Sequence, residues 1–160
     1  MSKPKFVYVI HIASTPEKVW QALTDPNITE KYWFSFRVDA NGKPGERMTA
    51  KDPKGELVHD DPIIESDPPR RLSYAWAPLY KDLQEERPSR VTFELTPLKE
   101  EQTRLTIIHD EFDDGSKIFG LISKGWPAVL SSLKSFVETG RGLQPSFEEE
   151  AARRAAEDAP

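Results

Sequence analysis

The sequence predicts an α+β domain, a curved antiparallel sheet of about six or seven strands wrapped around one long C-terminal helix, with two short helices after the first strand. Three features predict it. An alternating apolar segment near the start runs into helix-start signals, turn-punctuated alternating segments fill the middle, and one broad apolar helical stripe follows them. An antiparallel sheet with one apolar face needs a cover, and only that last stripe is long enough to provide it.

Phe6 to Ile12 alternates, with Phe6, Tyr8, Ile10 and Ile12 on one face and Val7, Val9 and His11 on the other, as a strand does. In STPEKVWQALTD, Thr15 can cap a helix, Pro16 suits its first position, and Ser14 with Glu17 has capping-box spacing. Val19, Trp20 and Leu23 are its inward residues. Asp25-Pro26 repeats the start signal, so Ile28 to Trp33 is expected to form a second short helix or turn. ANGKPG (40–45) and DPKG (52–55) are hairpin turn signals separating strands at Phe34 to Val38, Arg47 to Lys51 and Glu56 to Glu65. The third contains Asp60-Asp61-Pro62, where the missing amide proton requires a bulge or an edge position. Arg71 to Trp76 places Leu72, Tyr74 and Trp76 on one face, and Pro78 to Pro88 reads as a polar loop. Val91, Phe93 and Leu95, then Leu105, Ile107 and His109, alternate with mostly polar neighbours as two half-buried strands.

Ile118, Leu121, Ile122, Trp126, Val129, Leu130, Leu133, Phe136 and Val137 recur at helical spacing, with Ser123, Lys124, Ser131, Lys134 and Glu138 opposite. Pro127 lacks an amide proton and disfavours helical geometry at Trp126, so this helix is expected to be broken or kinked there. Gly140 is a natural stop. Residues 1–141 then form one domain and residues 142–160 a charged, flexible tail, in which Glu149 with Arg153 and Glu150 with Arg154 have helical pair spacing.

The 160 residues carry a formal charge of -5 with both signs scattered, which leaves no basic stripe for nucleic acid. The absence of cysteine removes disulfides, thiolate metal sites and thiol nucleophiles, and a reducing cytoplasm fits it. No run approaches the roughly 18 apolar residues of a membrane span, so no membrane insertion is expected. HDEFDD (109–114) and HDDP (59–62) concentrate metal-ligand types, but neighbouring strand residues point apart and no fixed ligand spacing is present. They read as a solvated loop and a strand bulge, and no metal is expected. Neither a Gly-rich phosphate loop nor a nucleophile elbow is visible, so no cofactor or hydrolytic serine is expected.

STPEKVWQALTDPNITEKYW, IIESDPPRRLSYAW, RVTFELTPL and GWPAVLSSLKSFVETG together resemble the helix-grip superfamily of START lipid-binding domains, birch-pollen-allergen-like proteins and polyketide cyclases. More narrowly they resemble heat-shock-protein-90 ATPase activator homologues, over roughly Lys5 to Arg141. The resemblance implies a cavity between sheet and long helix that takes a small apolar or amphipathic molecule such as a lipid, isoprenoid or polyketide. Strand alternation together with the matching family elements places Trp33, Tyr74, Trp76, Phe93, His109, Phe112, Leu121 and Trp126 around that cavity. Indole N–H groups, Tyr74 and His109 would be its polar handles, and ordinary core packing is the alternative for each. His109 is either a general acid or base, or a neutral histidine satisfied by a hydrogen bond. Burying about 200 Å² of ligand contributes about 5 kcal/mol before association costs, so tight binding needs those handles. The expected function is binding by a monomer. The alternatives are a cyclase-like or hydrolase-like enzyme using His109, and a co-chaperone or stress-response protein that contacts a protein partner.

Overall fold

In the computed structural model, which describes residues 4–143, β1 (Phe6–Ile12) leads into α1 (Pro16–Thr24) and α2 (Pro26–Tyr32). Six strands follow: β2 (Arg37–Asp39), β3 (Arg47–Lys51), β4 (Leu57–Asp67), β5 (Arg71–Trp76), β6 (Ser89–Leu98) and β7 (Gln102–Asp110). The long helix α3 (Lys117–Thr139) comes last. The sheet runs β1-β7-β6-β5-β4-β3-β2 with every neighbouring pair antiparallel, so the first strand lies beside the last.

Register sets the inner face. Tyr8, Ile107, Phe93 and Leu72 form one cross-strand row, and Phe6, His109, Val91 and Tyr74 form the next. Side chains in such rows share one face of the sheet, and α3 covers it with Ile118, Ile122, Trp126, Val129, Leu130 and Leu133 buried. The start of α1 follows the sequence: Thr15 Oγ1 accepts from Lys18 N–H at 3.3 Å. Asp25 does the same for α2, accepting from Asn27 N–H at 2.9 Å, which starts that helix two positions before Ile28.

Three expectations are corrected. The last helix is not broken at Trp126; α3 continues through Pro127 and stops at Gly140, whose φ of 86° is left-handed. Proline removes a single backbone donor, and the buried residues on both sides of it hold the helical course. The strand expected from Phe34 shrinks to Arg37–Asp39, because Phe34 and Ser35 take left-handed φ of 51° and 68° and turn the chain back along α2, where Thr29 Oγ1 accepts from Val38 N–H at 2.8 Å. The segment 78–88 is not wholly polar in its placement, since Leu83 turns inward and is buried. Pro62 does not lie at an edge: β4 is interior, Pro62 pairs with Arg47 of β3, and the bulge comes just after it, where the register with β5 shifts between Ile63 and Glu65.

The end of α3 is tied to α2. Ser132 Oγ donates to the Tyr32 carbonyl at 2.6 Å and accepts from Leu143 N–H at 2.9 Å. Gly142 passes so close that an added Cβ would lie 2.8 Å from the Lys31 carbonyl oxygen and 2.9 Å from Tyr32 Cα. The ion-pair spacings expected in the tail lie outside the described residues. Gly142→Ala should therefore lower unfolding stability by about 1–3 kcal/mol, because backbone must move to admit the methyl group. Urea denaturation checks this, and an unchanged midpoint would show that the seam is not tight.

Candidate functional site

The spacing of α3 places Ile118, Leu121, Ile122, Gly125, Trp126 and Val129 on one side of a cavity of about 210 Å³. Opposite them stand Val38 from β2, Met48 and Ala50 from β3, Val58 and His59 from β4, and Trp76 from β5. Trp33 and Phe36 close it after α2, and Pro78, Tyr80 and Leu83 close it from the loop after β5. Leu121 and Tyr80 are 40% and 44% exposed, which marks the mouth. Gly125, also exposed, belongs to that region, and a Cβ added there would meet nothing within 4 Å.

Trp126 is fixed by a buried hydrogen-bonded chain. Its indole Nε1–H donates to His109 Nδ1 at 3.0 Å, and His109 Nε2 lies 2.8 Å from Ser89 Oγ. An indole only donates, so Nδ1 must accept and Nε2 must carry the proton. Ser89 Oγ, receiving it, donates onward to the Trp76 carbonyl at 3.2 Å. The chain thus joins α3 to β7, β6 and β5. His109 is 0% exposed, and its pKa falls from 6.5 to about 3, first because burial penalises the imidazolium and then because His59 is nearby. A neutral imidazole with both nitrogens engaged has no free site for moving a substrate proton. The wall itself is aromatic: Trp126 lies 5.6 Å from Trp33 and 5.2 Å from Trp76 between ring centroids.

Of the residues placed around the cavity by sequence, Trp33, Trp76, Leu121 and Trp126 line it. Tyr74, Phe93, His109 and Phe112 pack behind that lining and are fully buried. Phe93 sets its ring edge-on to Trp126 at 5.8 Å, and Phe112 lies 4.6 Å from His109. Tyr74 Oη has no hydrogen-bond partner among the described residues, and burial, then Asp61, pushes its phenol pKa up.

Among the lining residues that the sequence reading did not place there, His59 carries the most chemistry. It is 6% exposed, sets its ring 4.1 Å from that of Trp76 at a tilt of 43°, and holds Nδ1 3.2 Å from Oδ2 of Asp61. That same oxygen accepts from Ala77 N–H at 3.3 Å. The signal was the two-residue spacing of His59 and Asp61, which share the inward face of β4, while Asp60 turns out to Arg47 at 2.8 Å. In the second acidic segment Asp113 accepts from Arg87 Nε at 2.6 Å, whereas the His109 ring packs against Phe112 and Trp126.

A seven-stranded antiparallel sheet curled around one long helix, with a cavity between them, defines a helix-grip domain. The family model for "Activator of Hsp90 ATPase homolog 1-like protein" matches residues 13–138, and the chain belongs to that family. Protein MLL2253 from Mesorhizobium loti is similar in structure, with a TM-score of 0.71 and 28% identity over 84% of this chain and 96% of that one. The Aha1 dimer from Colwellia psychrerythraea gives a TM-score of 0.68 at 20% identity, over 87% of this chain and 99% of that one. DynU16, a protein of the dynemicin biosynthetic locus, gives 0.71 at 20% identity, over 86% of this chain and 48% of its own. No curated protein matches significantly. Among the described residues no helix is long and apolar enough to cross a membrane.

The His109 chain has an acid signature. A histidine held neutral in the folded state stabilises it above the unfolded pKa, and that stability drains away as pH falls from 6.5 toward about 3. The loss should reach up to about 4 kcal/mol. Urea midpoints measured from pH 7 to pH 4 should fall less steeply in His109→Gln than in the parent protein, and parallel slopes would contradict the assignment.

Proposed function

We propose that the protein binds a small, largely aromatic molecule in the cavity between the sheet and α3. The observation that carries this reading is an open apolar space of about 210 Å³ walled by three indoles. Size narrows the ligand class. An apolar cavity of about 150 Å³ holds a benzene ring, and sites for drug-sized ligands begin near 300 Å³. A molecule of one or two rings fits between those limits better than a whole acyl chain. The likeness of the fold to DynU16, from a biosynthetic locus, supports a small organic ligand of this kind. Catalysis by His109 finds less support, since proton transfer there would break two hydrogen bonds of the buried chain. A co-chaperone role rests on the family alone.

Titration of ¹⁵N-labelled protein with one- and two-ring aromatics tests the reading through its four indole resonances. Trp33, Trp76 and Trp126 should shift while Trp20, which is not in the lining, stays in place. Dissociation constants of roughly 0.1–1 mM are expected for purely apolar members of the panel. Gly125→Phe, built where a side chain meets open space, should keep the fold and abolish the shifts. Absence of any shift across the panel, or undiminished binding by Gly125→Phe, would sink the proposal.

A further inference from the structure

His59 is the one imidazole in the cavity lining, and its two nitrogens are in different situations. Nδ1 is engaged by Asp61, at 5% exposure itself a buried carboxylate, which also takes the Ala77 N–H. Among the described residues Nε2 makes no hydrogen bond, yet it is not sealed: the only sealed, unpartnered side-chain polar atom is Tyr74 Oη. A carboxylate accepts, so Nδ1 keeps its proton and Nε2 offers a lone pair. Asp61 thus orients and polarises the imidazole in the way a carboxylate orients a working histidine.

The electrostatics select among ligands. No lysine or arginine lines the cavity, and Asp61 puts negative charge directly behind His59. An anionic ligand would lose its hydration without gaining a counter-charge. A neutral hydroxyl, in contrast, has the proton that the Nε2 lone pair needs. Its ring would meet apolar walls and the Trp76 indole that already lies against His59.

We propose that His59, oriented by Asp61, is the anchor that makes this cavity selective for neutral aromatic alcohols, with Nε2 accepting the ligand hydroxyl. The inference rests on the cavity being a ligand site, and three probes separate the two ideas: naphthalene, 2-naphthol and 2-naphthoate. 2-Naphthol should bind about tenfold more tightly than naphthalene, and 2-naphthoate more weakly than 2-naphthol. His59→Phe should erase the naphthol advantage while naphthalene still binds. In the unaltered protein the His59 Nε2 resonance should move upfield with 2-naphthol and stay in place with naphthalene, a readout that does not depend on any variant folding. Equal affinity for naphthalene and 2-naphthol, a naphthol advantage that survives His59→Phe, or a silent Nε2 overturns the anchor and leaves the cavity reading standing. Failure of all three compounds to bind overturns both.

Discussion

The hydrogen-bonded chain from Trp126 through His109 and Ser89 to the Trp76 carbonyl is the constraint around which the cavity is built. It is short, buried and fully paired. Each neutral bond contributes only about 1 kcal/mol net, but stranding one of its members inside the protein costs about 1–3 kcal/mol. That asymmetry makes the arrangement close to all-or-none. Trp126 must present its N–H to His109, so its ring has one permitted orientation, and the strand carrying Trp76 is tied to the same network. Two of the three cavity indoles are therefore tied to a polar network whose other members, His109 and Ser89, lie behind the lining.

Rigid rings then keep the space from closing. Phe93 backs Trp126 edge-on and Trp33 meets it from α2's end, so no single ring can swing inward without displacing the others. Gly125 and Ala50 contribute walls without bulk. Pro127 fits the same account: α3 accepts the loss of one backbone donor because its buried face, running from Ile118 to Leu133, outweighs that loss. The seam at Ser132, Tyr32 and Leu143 fixes the far end of the helix, so α3 is anchored both at the cavity and away from it.

The fold was largely legible in the sequence because its elements announce themselves locally. Thr15-Pro16, Asp25-Pro26 and Gly140 mark helix ends through their own backbone chemistry, and β5, β6 and β7 alternate over enough residues to fix which face is inward. Alternation could not say how deep a residue lies. Phe93 and His109 share the inward face with Trp76, yet they sit behind the lining, since depth depends on which ring of a neighbouring element covers them. Nor could it pair His109 with Trp126, which are brought together only by the packing of α3. His59 was obscured for another reason. Asp60 and Pro62 made its neighbourhood look like a surface bulge, whereas the inward positions are His59 and Asp61.

Membership of the activator homologue family gives the architecture, and the relatives at 20% identity share that fold. Function depends on whether the space under α3 is truly empty of protein. Xenon enters dry apolar cavities and shuns packed cores, so a crystal pressurised with xenon tests this directly. An ordered xenon atom among Trp33, Trp76 and Trp126 is the result predicted here. A crystal in which those three indoles close on one another and admit no xenon would contradict it.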